Sequence, residues 1–201
     1  MSGAEAAMPD ATTLDDASFA LLNAVHLKRI VGEADLAALL GTTTEDIAAR
    51  LAPWVQGGLA MALSAGVMLM PEGTAAVHAH YHARYAGLRG QPSLNDWYTR
   101  FETLNTRFIA ALTRWQQQGQ DDDTLFRALE IVEALVKALD ALTPVVPRYA
   151  DYQRRFNAAI DAIEQGDTDL LVNPRRDSAH NIWFEFHEDV LCVLGRPRDT
   201  T

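Results

Sequence analysis

Three of the chain's six histidines alternate in His78-Ala79-His80-Tyr81-His82. On a helix, His78 and His82 fall one turn apart on one face, a spacing that can ligate zinc or another transition metal, while His80 points elsewhere. The pair supplies two ligands, and a third has to come from another segment. The same pattern fits a surface helix on which histidines recur, or a pH-sensitive contact. No metal or cofactor is therefore assigned. A second cluster, Glu185-Phe186-His187-Glu188-Asp189, places Glu185 and Asp189 four residues apart and puts His180 and His187 on one face. It is not His-Glu-x-x-His. It reads either as a polar pocket, with His187 bonded to a carboxylate, Tyr149 or Tyr152, or as a solvated acidic face beside a half-buried histidine. The second reading is preferred, because acidic side chains are rarely buried.

The remaining polar motifs are weaker. Arg175-Arg176, with Asn173 and Ser178, precedes the last helix, where a helix N-terminus attracts anions. Pairing with Asp177 or other acidic neighbours is the simpler expectation. Arg154-Arg155 reads as a solvated basic face. Asp121-Asp122-Asp123 lacks calcium-loop spacing. No glycine-rich phosphate loop and no nucleophile elbow occurs. With no catalytic constellation complete, the expectation is a non-catalytic protein without catalytic residues.

Two kinds of region have to position these residues. Residues 1–13 are small and polar and read as a disordered tail. A helix follows from Leu14-Asp15-Asp16, with Phe19, Leu22, Val25, His26 and Ile30 on its apolar side. Residues 33–40 form a second helix that Gly41 ends. Thr42 and Glu45 fit a capping box for a third helix carrying Ile47, Leu51, Trp54 and Val55, in which Pro53 should kink or shorten the last turn. Residues 59–63 and 67–70 read as a hairpin across Ser64-Ala65-Gly66. Pro71-Glu72-Gly73-Thr74 reads as a break before a helix over 75–88. This order predicts a winged helix-turn-helix over 14–89. After Gly90 and Pro92 come four apolar stripes, including Trp97, Phe101, Leu104, Phe108, Leu112 and Trp115 at gaps of four and three. They predict an antiparallel helical bundle over 94–195, followed by a polar tail over 196–201. The class is thus mainly α with a small β-hairpin.

Charge bears on partners. The chain carries 27 acidic against 17 basic side chains, a net charge of −10. Its one cysteine, Cys192, excludes an intrachain disulfide and reads as a buried core thiol. No apolar run reaches the ~18 residues of a membrane helix, and the N-terminus lacks the charge and apolar centre of a signal peptide. A cytoplasmic protein without a membrane partner is expected. If the winged helix reads duplex DNA, Thr43, Thr44 and Arg50 on the third helix contact it, with Lys28 and Arg29 on the phosphates. Arg50 is the third helix's one cation, and the wing has none. Few phosphate contacts release few counterions and give little affinity. The alternative is a winged helix that docks on a partner protein, with Met61, Met68 and Met70 either on that surface or filling the core. A homodimer is expected in either case.

The pattern Leu36-x-x-Leu39-Leu40-Gly41, then 44–51, Gly58-Leu59 and Leu69-Met70-Pro71-Glu72-Gly73, resembles the MarR-type winged helix. That resemblance implies a transcription regulator, although the family's basic wing is missing here. Phe101-x-x-Leu104-Asn105-x-x-Phe108, Trp115-Gln116 and the run from Ile182 to Leu191 with Leu194-Gly195-Arg196 resemble actinobacterial winged-helix proteins associated with phosphoenolpyruvate-utilising, pyruvate-phosphate-dikinase-like enzymes. This implies an accessory role beside an enzyme and carries over no catalytic residue.

Overall fold

The computed structural model describes residues 14–117 and 121–197. The expected N-terminal tail and most of the expected C-terminal tail fall outside them. The elements are α1 (Asp16–Lys28), α2 (Glu33–Leu40), α3 (Thr44–Gln56), β1 (Ala60–Leu63), β2 (Gly66–Leu69), α4 (Pro71–Tyr85), α5 (Pro92–Gln117), α6 (Asp122–Leu139), α7 (Tyr149–Glu164), a 3-10 turn (Thr168–Leu171) and α8 (Ala179–Leu194). The protein is mainly α with one small antiparallel hairpin, as the periodicities predict. No helix among the described residues is long and apolar enough to cross a membrane.

The chain divides into two compact units. One holds the described residues 14–89 together with 188–197, and the other holds 90–187. The final turns of α8 group with the first unit. Arg89 gives the physical reason. Its Nε and Nη2 donate to the carbonyls of Val193 (3.2 Å) and Cys192 (3.1 Å). These are carbonyls a helix C-terminus leaves without intrahelical partners, at its negative dipole end.

In the first unit, Asp15 caps α1 by accepting the amide of Ser18 at 2.6 Å, and that bond holds its carboxyl below the usual carboxylate range. Helix α1 ends at Lys28, so Ile30 lies beyond it and is exposed rather than on its apolar face. Gly41 takes the left-handed conformation (φ 65°) at the end of α2. The cap of α3 is one residue later than the expected Thr42–Glu45 box. Thr43 Oγ1 accepts the amide of Asp46 (3.2 Å), and the Thr42 hydroxyl donates to the Asp46 carboxylate (2.9 Å). Pro53 lies inside α3, which still runs to Gln56. Pro71 begins α4 at its first turn instead of breaking the chain, because proline's missing N–H costs nothing there. Strands β1 and β2 pair Ala60 with Leu69 and Met61 with Met68, and Val31 bridges to Val67 on the far side of β2. Gly66, at φ 134°, lies against the Val31 backbone, where a Cβ has no room.

In the second unit, Trp97 at the start of α5 donates to the carbonyl of Ala138 near the end of α6 (2.8 Å), so these two helices run antiparallel. The first half of α8 supplies the core. Trp183 stacks on Phe108 with centroids 4.1 Å apart and on Phe101 at 5.7 Å, and its indole N–H donates to Asn105 (2.9 Å). Phe186 meets Trp97, Phe101, Tyr149 and Tyr152 edge-on. Each such ring pair adds roughly 0.5–1.5 kcal/mol beyond its burial.

Candidate functional site

Three groups of residues have the chemistry to act. The first is the outer surface of α3 and the hairpin. Thr44, Glu45 and Asp46 are exposed at the start of α3. Thr43 is occupied as the cap. Arg50 is turned back on its own unit, since Nη2 donates to the carbonyl of Ala17 (2.8 Å) and Nη1 lies 3.4 Å from Asp46. Lys28 is half-buried at the end of α1. Arg29 adopts φ 68° and approaches Glu188 at 3.8 Å. Strand β2 alternates as a half-buried strand should, β1 is exposed from Met61 to Leu63, and the outer side of the hairpin is not polar. Ala60, Val67 and Leu69 are buried, whereas Met61 and Leu63 are 40% and 39% exposed and Met68 is partly exposed. An antiparallel sheet facing water normally carries polar residues there. Of the three methionines singled out from the sequence, Met61 belongs to this surface most fully.

The second group lies at the meeting of α1, α4 and α8 in the first unit. His26, His78 and Cys192 bring Nδ1 or Nε2 of each ring and the cysteine Sγ within 4.8 Å of one another. The two imidazoles are edge to face, with centroids 5.0 Å apart. His26 and Cys192 are buried and His78 is exposed. His26 Nε2 is enclosed without a hydrogen-bond partner among the described residues. Burial first, and then the charge of His78, push the His26 pKa down to about 4, so its ring is neutral near pH 7 and has a free nitrogen lone pair. Glu188, Asp189 and Arg29 are the charged groups whose fields reach it. The sequence points to His78 with His82. The structure keeps His78, leaves His82 exposed one turn on and stacks His80 on Phe19 at 4.0 Å. His26 and Cys192 carry no mark in the sequence beyond being a polar residue and a thiol on apolar stripes.

The third group lies in the second unit. Arg155, which sequence patterning puts on a solvated face, is buried. Its Nε donates to Asp177 (2.8 Å), Nη2 to the other Asp177 oxygen, and Nη2 also to Glu185 (2.7 Å). Burial acts to lower its pKa, but the bonds to Asp177 and the charge of Glu185 outweigh it and hold the guanidinium charged. Glu185 and Asp189 are buried as well, so the expected solvated acidic face exists in neither unit as drawn. His187 is half-buried, with Nε2 3.3 Å from the Tyr98 hydroxyl and 3.2 Å from Glu102. His187 thus meets Tyr98 and a carboxylate, that of Glu102. Arg154 is solvated and pairs with Asp151. Arg176 is held by both oxygens of Asp167 at 2.8 and 2.7 Å, and Asn173 accepts the amide of Arg175. The pairing expected for that motif is therefore present. Ser178 supplies the cap of α8 through the amide of Asn181 (3.3 Å).

Comparison with protein-family models, with curated proteins and with solved structures finds no match to this chain.

Proposed function

We propose that this chain is a non-catalytic regulatory protein of winged-helix type, whose first unit docks on a partner protein through the hairpin instead of reading duplex DNA. The observation that carries this reading is the apolar outer side of the hairpin, Met61, Leu63 and Met68. Strand β1 pairs on its β2 side alone among the described residues, and a strand edge without a paired strand is the kind a partner strand can join. Methionines suit such a surface because their flexible thioethers adapt to the group they meet.

Electrostatics favours the same reading. Residues 1–89 hold five basic side chains (Lys28, Arg29, Arg50, Arg84, Arg89) against nine acidic ones. The exposed start of α3 presents Glu45 and Asp46, and Arg50 already serves Ala17 and Asp46. A duplex meets carboxylates where it needs cations. The resemblance of the second half to proteins associated with phosphoenolpyruvate-utilising enzymes makes an enzyme the fitting class of partner.

The test is affinity isolation from the source cells with the wild-type chain, Met61→Lys/Leu63→Lys and Arg50→Ala. The expected result is a protein retained by wild type and by Arg50→Ala and lost with the hairpin variant. Retention of the same proteins by all three overturns the reading.

A further inference from the structure

We propose that His26, His78 and Cys192 form a binding site for a divalent transition-metal ion of the zinc class, with the fourth coordination position open to water. Nothing in this site depends on the docking reading above.

The donor set is the first argument. Two imidazole nitrogens and a thiol are the ligand types that borderline-soft divalent ions select, and hard ions such as magnesium or calcium take oxygen instead. Placement is the second argument. The ligands come from three helices far apart in sequence, and their donor atoms already lie within 4.8 Å of one another. Bond lengths near 2.0–2.3 Å in a tetrahedral site bring donors to roughly 3.3–3.8 Å, so binding requires the donors to close by about an ångström.

The third argument is the orphaned nitrogen. His26 is 6% exposed, and its Nε2 has no hydrogen-bond partner among the described residues. A buried polar atom left unsatisfied carries an uncompensated desolvation cost. Coordination through Nε2, as the unprotonated nitrogen of the neutral ring, would satisfy that atom. His78, being exposed, gives the ion a way in from solvent. On binding, the Cys192 thiol releases its proton to solvent and the thiolate bonds the ion, with no change of oxidation state. Glu188 and Asp189, on the same helix as Cys192, contribute negative charge near the ion, and Arg29 opposes it. The site links α1 and α4 of the first unit to the end of α8, so loading should stiffen that junction.

Cobalt titration of the chelator-stripped full chain tests the site, because Co2+ is a coloured probe for zinc positions. The expected result is a single bound equivalent with a near-ultraviolet thiolate-to-cobalt band, displaced by Zn2+. His78→Ala is an exposed change that leaves the core intact, and it should weaken binding about tenfold or more. Cys192→Ser should remove the thiolate band, and His82→Ala should change neither. A wild-type protein that gives no such band, or a band and an affinity that persist in Cys192→Ser and His78→Ala, overturns the proposal.

Discussion

Arg155 Nη2 lies 2.7 Å from Glu185 Oε2, and the two side chains are 4% and 8% exposed. Two charges in that setting are stable only together, because removal of either leaves the other desolvated and uncompensated. Arg155→Ala is therefore expected to lower unfolding free energy by about 3–5 kcal/mol in urea denaturation. Its neighbour Arg154, solvated and paired with Asp151, is expected to change stability by no more than about 0.5 kcal/mol when replaced by alanine. Equal effects of the two substitutions would contradict the assigned burial.

Asp121 governs part of the acid response. Its carboxylate accepts the Thr124 hydroxyl (2.8 Å) and amide (2.9 Å) at the start of α6, and the hydroxyl bond first, then the amide bond, hold its pKa below the usual 3.8. A depressed carboxyl stabilises the fold above its unfolded value. That contribution is lost as pH falls below 3.8 and through the folded value. Asp121→Asn keeps a capping oxygen but cannot titrate. Its melting temperature should fall less steeply than that of wild type between about pH 5 and about pH 2. Parallel curves would show that the cap does not titrate as described.

The open apolar side of the hairpin also bears on self-association. If two copies meet there, light-scattering mass should rise from monomer towards dimer with protein concentration. Met61→Lys/Leu63→Lys should hold the monomer, with an unchanged melting temperature because both side chains are exposed. A dimer that is indifferent to this variant places self-association on another surface.

How much of this was legible in the sequence follows from what carries each feature. Helices and hairpin are written locally. Gly41, the aromatic gaps of α5 and the Ser64–Gly66 turn each act within a few residues, and the elements form where they point. Caps are local too, but Thr42, Thr43 and Thr44 offer the same hydroxyl, and only the bonds to Asp46 single out Thr43. The buried arginine was not legible, because Arg154 and Arg155 differ only in which way the turn of α7 faces, and the partners of Arg155 are 22 and 30 residues away. The His26–His78–Cys192 group was legible in one member only. Its other two sit on apolar stripes, where a histidine or a thiol reads as core, and folding alone brings helices so far apart in sequence together.

Under the proposed docking role, the first unit does not grip duplex DNA. Fluorescence anisotropy with a labelled duplex from the promoter of the chain's own operon tests it, at about 20 mM and about 150 mM salt, where phosphate contacts show as a steep loss of affinity. A docking role predicts no salt-sensitive binding between these two concentrations, and no difference between wild type and Arg50→Ala. Binding at low salt that falls linearly in log affinity against log salt, and is weakened by Arg50→Ala, would contradict it.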